Sequence, residues 1–475
     1  MRNVEARAKA HLKITLTLGL ASVVAGGYVQ DAQGLAQPEP PPTHKLIEFG
    51  WDRPTPDILR ARAANLDSHP FDGVVVKLHA GPAVFTRQPY PASALAQDLS
   101  DLESFHSARL TDNFLLMWTT REQDWDWYSD SDWAAAEQNI RNFAHLARAG
   151  GFRGILLDTE AYGPAPWDYR QQPHRDVYSD AAYEQMLRTR GAQFMRAVLS
   201  ELADAKILLT WAPASLSLYS THTRNPEPLK SYGLLLAFLE GAQQELRGGA
   251  RIIDGNEGSY YYLSASDFAA ADGLRRALIA QCEHPRAGSC NSPWGLAQAV
   301  YVDWFVPPAG SYRTLGSFVP STSDRLKLLE QNVYLALRSS DEYVWIYSQG
   351  MNWWKGELPA GVAQAVQSAK DHFRAGTAPE SNIAGAVVAA QKGFSTRVMI
   401  EGRVTHGGTG VAGVTMRGME AACMPTDSTG RYDCLMPSNW SGQLVPTHGA
   451  STFNPPSRGF QHVKTNQRAQ DFSMQ

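Results

Sequence analysis

The stretch Gly154–Gly163, GILLDTEAYG, decides the fold. Ile155-Leu156-Leu157 runs straight into Asp158-Thr159-Glu160 and then into a loop with tyrosine and glycine. So continuous an apolar run predicts a strand buried on both faces, as in a parallel sheet covered by helices. The two carboxylates at its C-terminal end stand where α/β folds place their chemistry.

The pattern recurs along the chain. Comparable runs are Lys45–Trp51, Phe71–His79, Asn113–Thr119, Phe152–Asp158, Lys206–Ala212, Arg251–Asp254, Ala297–Phe305 and Glu342–Ser348. Helical periodicity fills the intervals at Pro56–Asn65, Trp133–Ala149, Ala181–Ala205, Leu234–Leu246, Ser266–Cys282, Ser323–Ser339 and Ala360–Phe373, with Ser266 and Ser323 as expected N-caps. Eight strands, all but the second followed by a helical stretch, predict an α/β fold with a closed (β/α)8 TIM barrel over residues 45–380. An open doubly wound sheet is the competitor. No GxGxxG or GxxxxGK[ST] follows a strand, which removes the usual nucleotide-binding reason for it.

Past a linker at 381–397, residues 398–475 are rich in Gly, Thr, Ser and Val and lose helical periodicity. They predict a C-terminal all-β sandwich. Twelve of the 13 tryptophans lie before residue 360, so the aromatic load belongs to the barrel.

Arg2, Arg7, Lys9 and Lys13 precede the apolar run Ile14–Gly27, and Gly34-Leu35-Ala36 is a small-x-small site. This reads as an export signal over residues 1–36, followed by a proline-rich linker at 37–44. The run is short for a membrane span, so none is expected after the signal is removed. The expected location is secreted, periplasmic or cell-surface. Two sequence-local couples, Cys282 with Cys290 and Cys423 with Cys434, read as two short-loop disulfides in an exported protein, with free buried thiols as the alternative. A net charge of −4 without long runs excludes a basic-faced nucleic-acid binder.

Two resemblances follow. The segments Glu401–Gly418, Thr426–Pro437, Ser438–Phe460 and Asn466–Phe472 resemble the immunoglobulin-like, carboxypeptidase-regulatory-like modules of secreted bacterial proteins. That implies a spacer or adhesion element without chemistry of its own. The barrel, with its strand ending in Asp158-Thr159-Glu160, resembles those of glycoside hydrolases at superfamily level only.

Catalytic groups of such barrels come from strand C-termini and the loops beyond. Those places supply Trp51 and Asp52, Lys77 and His79, Trp118, Asp158 and Glu160, Trp211, then Asp254, Asn256, Glu257 and Tyr260, then Asp303 and Trp304, and finally Tyr347 and Trp353. Carboxylates inside a ring of aromatics suit glycosidic-bond hydrolysis. That reaction needs two carboxyls, while sugar C–H faces stack on Trp and Tyr. Glu160 is expected as acid/base with Asp158 or Glu257 as its partner. Trp125-Asp126-Trp127-Tyr128 is a further expected sugar contact. The partner is then an oligo- or polysaccharide, with no cofactor. A divalent metal on His79, Asp158 and Glu160 is disfavoured because no HxH ends the first strand. The alternative is a non-catalytic carbohydrate-binding or cell-surface protein on the same scaffold.

Overall fold

The computed structural model describes residues 44–66, 69–160, 162–212, 214–217, 230–280, 294–307, 319, 321–379, 397–417, 423, 425–427, 429–437 and 440–475. The expected signal and both linkers, apart from His44 and Arg397, lie outside them. Cys282 and Cys290, expected to form a disulfide, also lie outside the described residues.

The first strands are β1 (Lys45–Gly50), β2 (Gly73–Val76), β3 (Phe114–Trp118), β4 (Gly154–Asp158), β5 (Lys206–Leu209) and β6 (Arg251–Asp254). They are followed by β7 (Trp294–Leu296), β8 (Gln298–Tyr301) and β9 (Tyr343–Ser348). The sheet order is β7-β6-β5-β4-β3-β2-β1-β9-β8, and every pairing is parallel. Its two ends, β7 and β8, are separated by one residue, Ala297, whose N–H donates to the Asp254 carbonyl at 2.8 Å. β7 and β8 are therefore one interrupted strand, and the sheet closes on itself. The result is a (β/α)8 barrel.

Alternation divides each strand between two cores. Ile47, Val75, Leu116, Leu156, Leu208, Ile253 and Trp345 fill the lumen. Leu46, Val74, Val76, Leu115, Ile155, Leu157, Ile207 and Ile252 face outward into the helical shell. Each such burial contributes about 1.5–3 kcal/mol, so both faces hold the wall in place. In the shell, the helices Asp180–Glu201 and Leu235–Gln244 touch backbone to backbone. A Cβ on Gly191 would lie 1.8 Å from the Phe238 carbonyl oxygen, so only glycine permits that approach.

Several expected boundaries shift. Ser264 Oγ accepts from Asp267 N at 3.4 Å and Ser321 Oγ from Asp324 N at 3.2 Å, so these serines, two residues before those expected, cap their helices. Val302–Phe305, read as strand from sequence, is a short helix. This puts Asp303 and Trp304 on a turn beyond the wall.

Asp254 is turned away from the lumen. Ile253 points inward, so Asp254 points outward, where it meets Arg275 at 3.2 Å with both side chains fully buried. Arg275 also donates to the carbonyls of Asp254 (2.6 Å) and Ala297 (3.0 Å). The guanidinium therefore supports the main chain where the strand breaks.

Residues 397–475 supply only β-structure among those described. β10 (Arg397–His406) pairs antiparallel with β11 (Arg431–Pro437), and β12 (Phe472–Met474) runs parallel to β10. Further short strands form two separate two-stranded sheets. Of the two expected disulfides, Cys423–Cys434 is present and ties the region internally. The other, Cys282–Cys290, is not among the described residues. No helix among the described residues is long and apolar enough to cross a membrane.

Arg275→Met leaves Asp254 charged and unpaired in the shell. Its expected cost is about 3–5 kcal/mol, read as a lowered urea midpoint. A loss below about 1 kcal/mol would refute the bracing role.

Candidate functional site

The C-terminal rim gathers acids from β4 and from the turn after β6. Leu156 faces the lumen, so Asp158 does too, and it is only 2% exposed. Its Oδ1 accepts from Glu160 N (3.0 Å) and Thr210 Oγ1 (3.3 Å), and its Oδ2 lies 3.0 Å from Tyr162 Oη. Tyr162 Oη also lies 2.7 Å from Glu160 Oε2. The Tyr162 ring is 52% exposed, yet its hydroxyl reaches inward between the two carboxyls.

Thr159, between the acids, is buried and fixed. Its hydroxyl donates to the Trp211 carbonyl at 3.0 Å, and its own carbonyl accepts from Trp167 Nε1 at 3.0 Å. The acid-bearing loop is thus held from both sides.

Thr210 joins the third acid to this pair. Its hydroxyl donates to Asp158 while its carbonyl accepts from Glu257 N at 3.1 Å. Glu257 opens the 3₁₀ turn Glu257–Tyr261, entered through Asn256 in the left-handed region (φ 46°). The turn is anchored by Ser259, whose hydroxyl donates to the Asn256 carbonyl (2.7 Å) and accepts from Ala299 N (2.7 Å). Among the described residues, the Glu257 carboxyl has no hydrogen-bond or ion-pair partner.

The three acids act on one another electrostatically. Burial, then the charge of Glu160, pushes Asp158 up to about 7. Burial, then Glu160 and Asp158, raises Glu257 well above the usual carboxylate range. Burial first, and nearby acids second, also raise the phenols of Tyr162, Tyr232 and Tyr260, which keeps them O–H donors.

The frame is aromatic. Tyr260 stacks on Tyr347 at 5.3 Å, and Trp51 Nε1 donates to Tyr347 Oη at 2.6 Å. Trp118 meets the Tyr162 ring at 5.0 Å, and the Trp211 ring lies close to Gly258. Lys77 is half-buried just past β2, on the lumen side by alternation from Val75.

The remaining candidates lie elsewhere. His79 is held by Asp98 of one helix and Asp57 of another. Asp254 and Asn256 are bound to Arg275 and Gln298, in the outer layer. Asp52 accepts from Trp353 N (2.6 Å), and Asp303 accepts from Gln349 N (3.2 Å) and Gly350 N (2.6 Å); both hold the loop after β9. Trp353 packs edge-on to Phe71, and Trp304 edge-on to Tyr261, both buried. Trp125 and Trp127, expected as sugar contacts, are fully buried beside Phe85, Trp133 and Trp167 and belong to the core.

Sequence reading missed four residues of the rim. Tyr162 and Arg53 lie in loops already singled out. Thr210 is the next inward position after Leu208. Tyr232 comes from a distant turn with no local signal. An open groove around Phe105, His106, Arg148 and Arg153 contains no carboxylate in its lining. No cluster of metal-ligating side chains occurs among the described residues.

No family model and no curated protein matches the chain. Among solved structures it is similar to an alpha-amylase of Anoxybacillus, with TM-score 0.34, 10% identity, and coverage of 83% of this chain and 96% of that one. It is also similar to an endocellulase of Pyrococcus horikoshii, with TM-score 0.36, 11% identity, and coverage of 69% and 92%. Scores of this size carry no weight for the reaction.

Hydrogen bonding to Asp98, then the charges of Asp98 and Asp57, hold the His79 pKa above its ordinary 6.5. Its contribution to stability is therefore complete below about pH 6.5 and disappears as pH rises through the raised value. His79→Gln is expected to lower the melting temperature at about pH 5.5 and to match the parent protein near pH 9. A gap that does not change with pH would contradict the clamp.

Proposed function

We propose that the chain hydrolyses a glycosidic bond of an oligo- or polysaccharide at the β4–β6 rim. The observation that carries this reading is the meeting of Asp158, Glu160 and Glu257, through Thr210 and Tyr162, inside an aromatic frame. Hydrolysis needs one carboxyl that holds a proton for the leaving oxygen and one that is ionised to attack or to activate water.

The hydrogen bonds favour a different division of roles from the sequence-based one. Glu257 has no partner among the described residues and a raised pKa, as suits the acid. Glu160 accepts from Tyr162, as suits the carboxylate that attacks the anomeric carbon or activates water. A phenol has one proton, so Tyr162 cannot donate to Asp158 and Glu160 together. Both contacts are satisfied when Asp158 is protonated and donates to Tyr162, and Tyr162 donates to Glu160. The proton is then stored on Asp158, the acid raised to about 7.

We further propose export through residues 1–36, with the immunoglobulin-like residues 398–475 acting as a spacer or adhesion element. The signal charges and the module resemblance support this.

Glu257→Gln and Glu160→Gln should each lower reducing-end release from a responsive polysaccharide by about 10²–10⁴-fold. Binding that persists while no polysaccharide is cleaved would leave a carbohydrate-binding protein instead.

Tyr162→Phe removes the shared hydroxyl. It should reduce kcat about tenfold and move the acid limb of the kcat/KM profile to higher pH. An unchanged profile would separate Tyr162 from the proton path.

A further inference from the structure

Arg53 is a half-buried cation with no carboxylate partner among the described residues. Arg60, Arg188, Arg190, Arg275 and Arg276 each pair with a carboxylate. Arg121 pairs with none, but it donates to the Trp125 and Gln171 carbonyls. Arg53 makes one hydrogen bond, from Nη1 to the Gly50 carbonyl at 3.1 Å. Among the described residues, no carboxylate lies within ion-pair reach of it and no other partner uses its remaining donors.

The guanidinium is positioned all the same. It lies over the rings of Trp51 (4.8 Å), Trp118 (5.5 Å) and Phe49 (5.8 Å), and is half-buried. Trp51, the outer ring, is 53% exposed. Three rings hold a planar fork of N–H donors at the rim without consuming it. Asp158 is the strongest charge acting on it, so Arg53 faces the same opening. Lys77, beyond the neighbouring strand, faces the lumen by alternation and likewise has no side-chain partner among the described residues.

The ring order separates these charges. In the closed barrel β5 stands opposite β1, flanked by β4 and β6, which carry the acids. Arg53 and Lys77 follow β1 and β2. The mouth therefore carries its acids on β4 and after β6, and two cations with unclaimed donors beyond β1 and β2, with Arg53 also acting on Glu48 and Asp52 of the first strand and its loop.

We propose that the saccharide bound here is anionic, a uronic-acid-containing chain whose carboxylate is gripped by Arg53 with Lys77 in support. The proposal rests on the rim being a saccharide site and names its substrate class. A carboxylate matches the planar guanidinium fork with two parallel hydrogen bonds, which a neutral hydroxymethyl group cannot do. The sugar ring would lie between Trp51 and the acids, its charged substituent turned from the side that must hold a proton donor.

The test is a binding titration on the full chain carrying Glu160→Gln, which prevents turnover. The probes are oligosaccharides of galacturonate, glucuronate and mannuronate, their carboxyl-reduced counterparts, and sulfated neutral oligosaccharides. At least one uronate should bind about tenfold or more tightly than its reduced form, and added salt should narrow the gap. Adding Arg53→Gln should abolish the gap by weakening the uronate alone, and Arg53→Lys should restore part of it. Equal binding of both forms, no binding by any probe, or a gap that survives without Arg53 overturns the proposal. A preference for sulfated chains over uronates overturns the carboxylate assignment. Reducing-end release by the parent protein is scored separately. Uronate preference without cleavage defeats the hydrolase reading and spares this one, whereas cleavage of neutral chains without preference does the reverse.

Discussion

Closure of the parallel sheet is the constraint on which everything else rests. The pairing of β1 with both β2 and β9 leaves no free edge there and makes all the strands point the same way. Their C-terminal ends must therefore share one rim. Side-chain parity then selects what reaches it. Asp158 follows an inward Leu156 by two residues and enters the lumen, whereas Asp254 follows an inward Ile253 by one and leaves it. Two acids that end their strands alike thus have opposite roles, one in the candidate site and one in the wall.

That difference explains what was legible in the sequence. The barrel was, because eight apolar runs alternate with helical stretches and no nucleotide-binding glycine motif favours the doubly wound alternative. The placement of Asp158, Glu160 and Glu257 at or just beyond strand ends was, because strand ends are visible where apolar runs stop. The short spacing of Cys423 and Cys434 was enough to pair them, while the same reading of Cys282 and Cys290 falls outside the described residues. The facing of Asp254 and Glu48 was not legible. Both faces of a covered parallel strand are apolar, so the period-two pattern that normally marks inside and outside is missing. Glu48 is fully buried on the side away from the lumen, and burial followed by the charge of Asp52 raises its pKa well above the ordinary value.

Aromatic residues misled for a related reason. Trp125 and Trp127 sit in a loop, where exposure is the usual expectation, yet they close over Phe85 as part of the outer core. Trp51 and Tyr162, in loops of similar composition, do remain open. Composition does not separate these cases, because what differs is whether a neighbouring loop supplies a lid. Tyr232 shows the same limit, since its relation to the acids exists only after the chain has come round.

The interruption at Ala297 has a mechanical consequence. Elsewhere the cylinder is stitched by continuous ladders, but here it has a seam, braced by a single guanidinium bound to two carbonyls. Breathing of the hoop should concentrate along that line. The turn carrying Glu257 is fastened to the same place through Ser259 and Ala299. Elastic give in the wall should therefore reach Glu257 before it reaches the pair on β4.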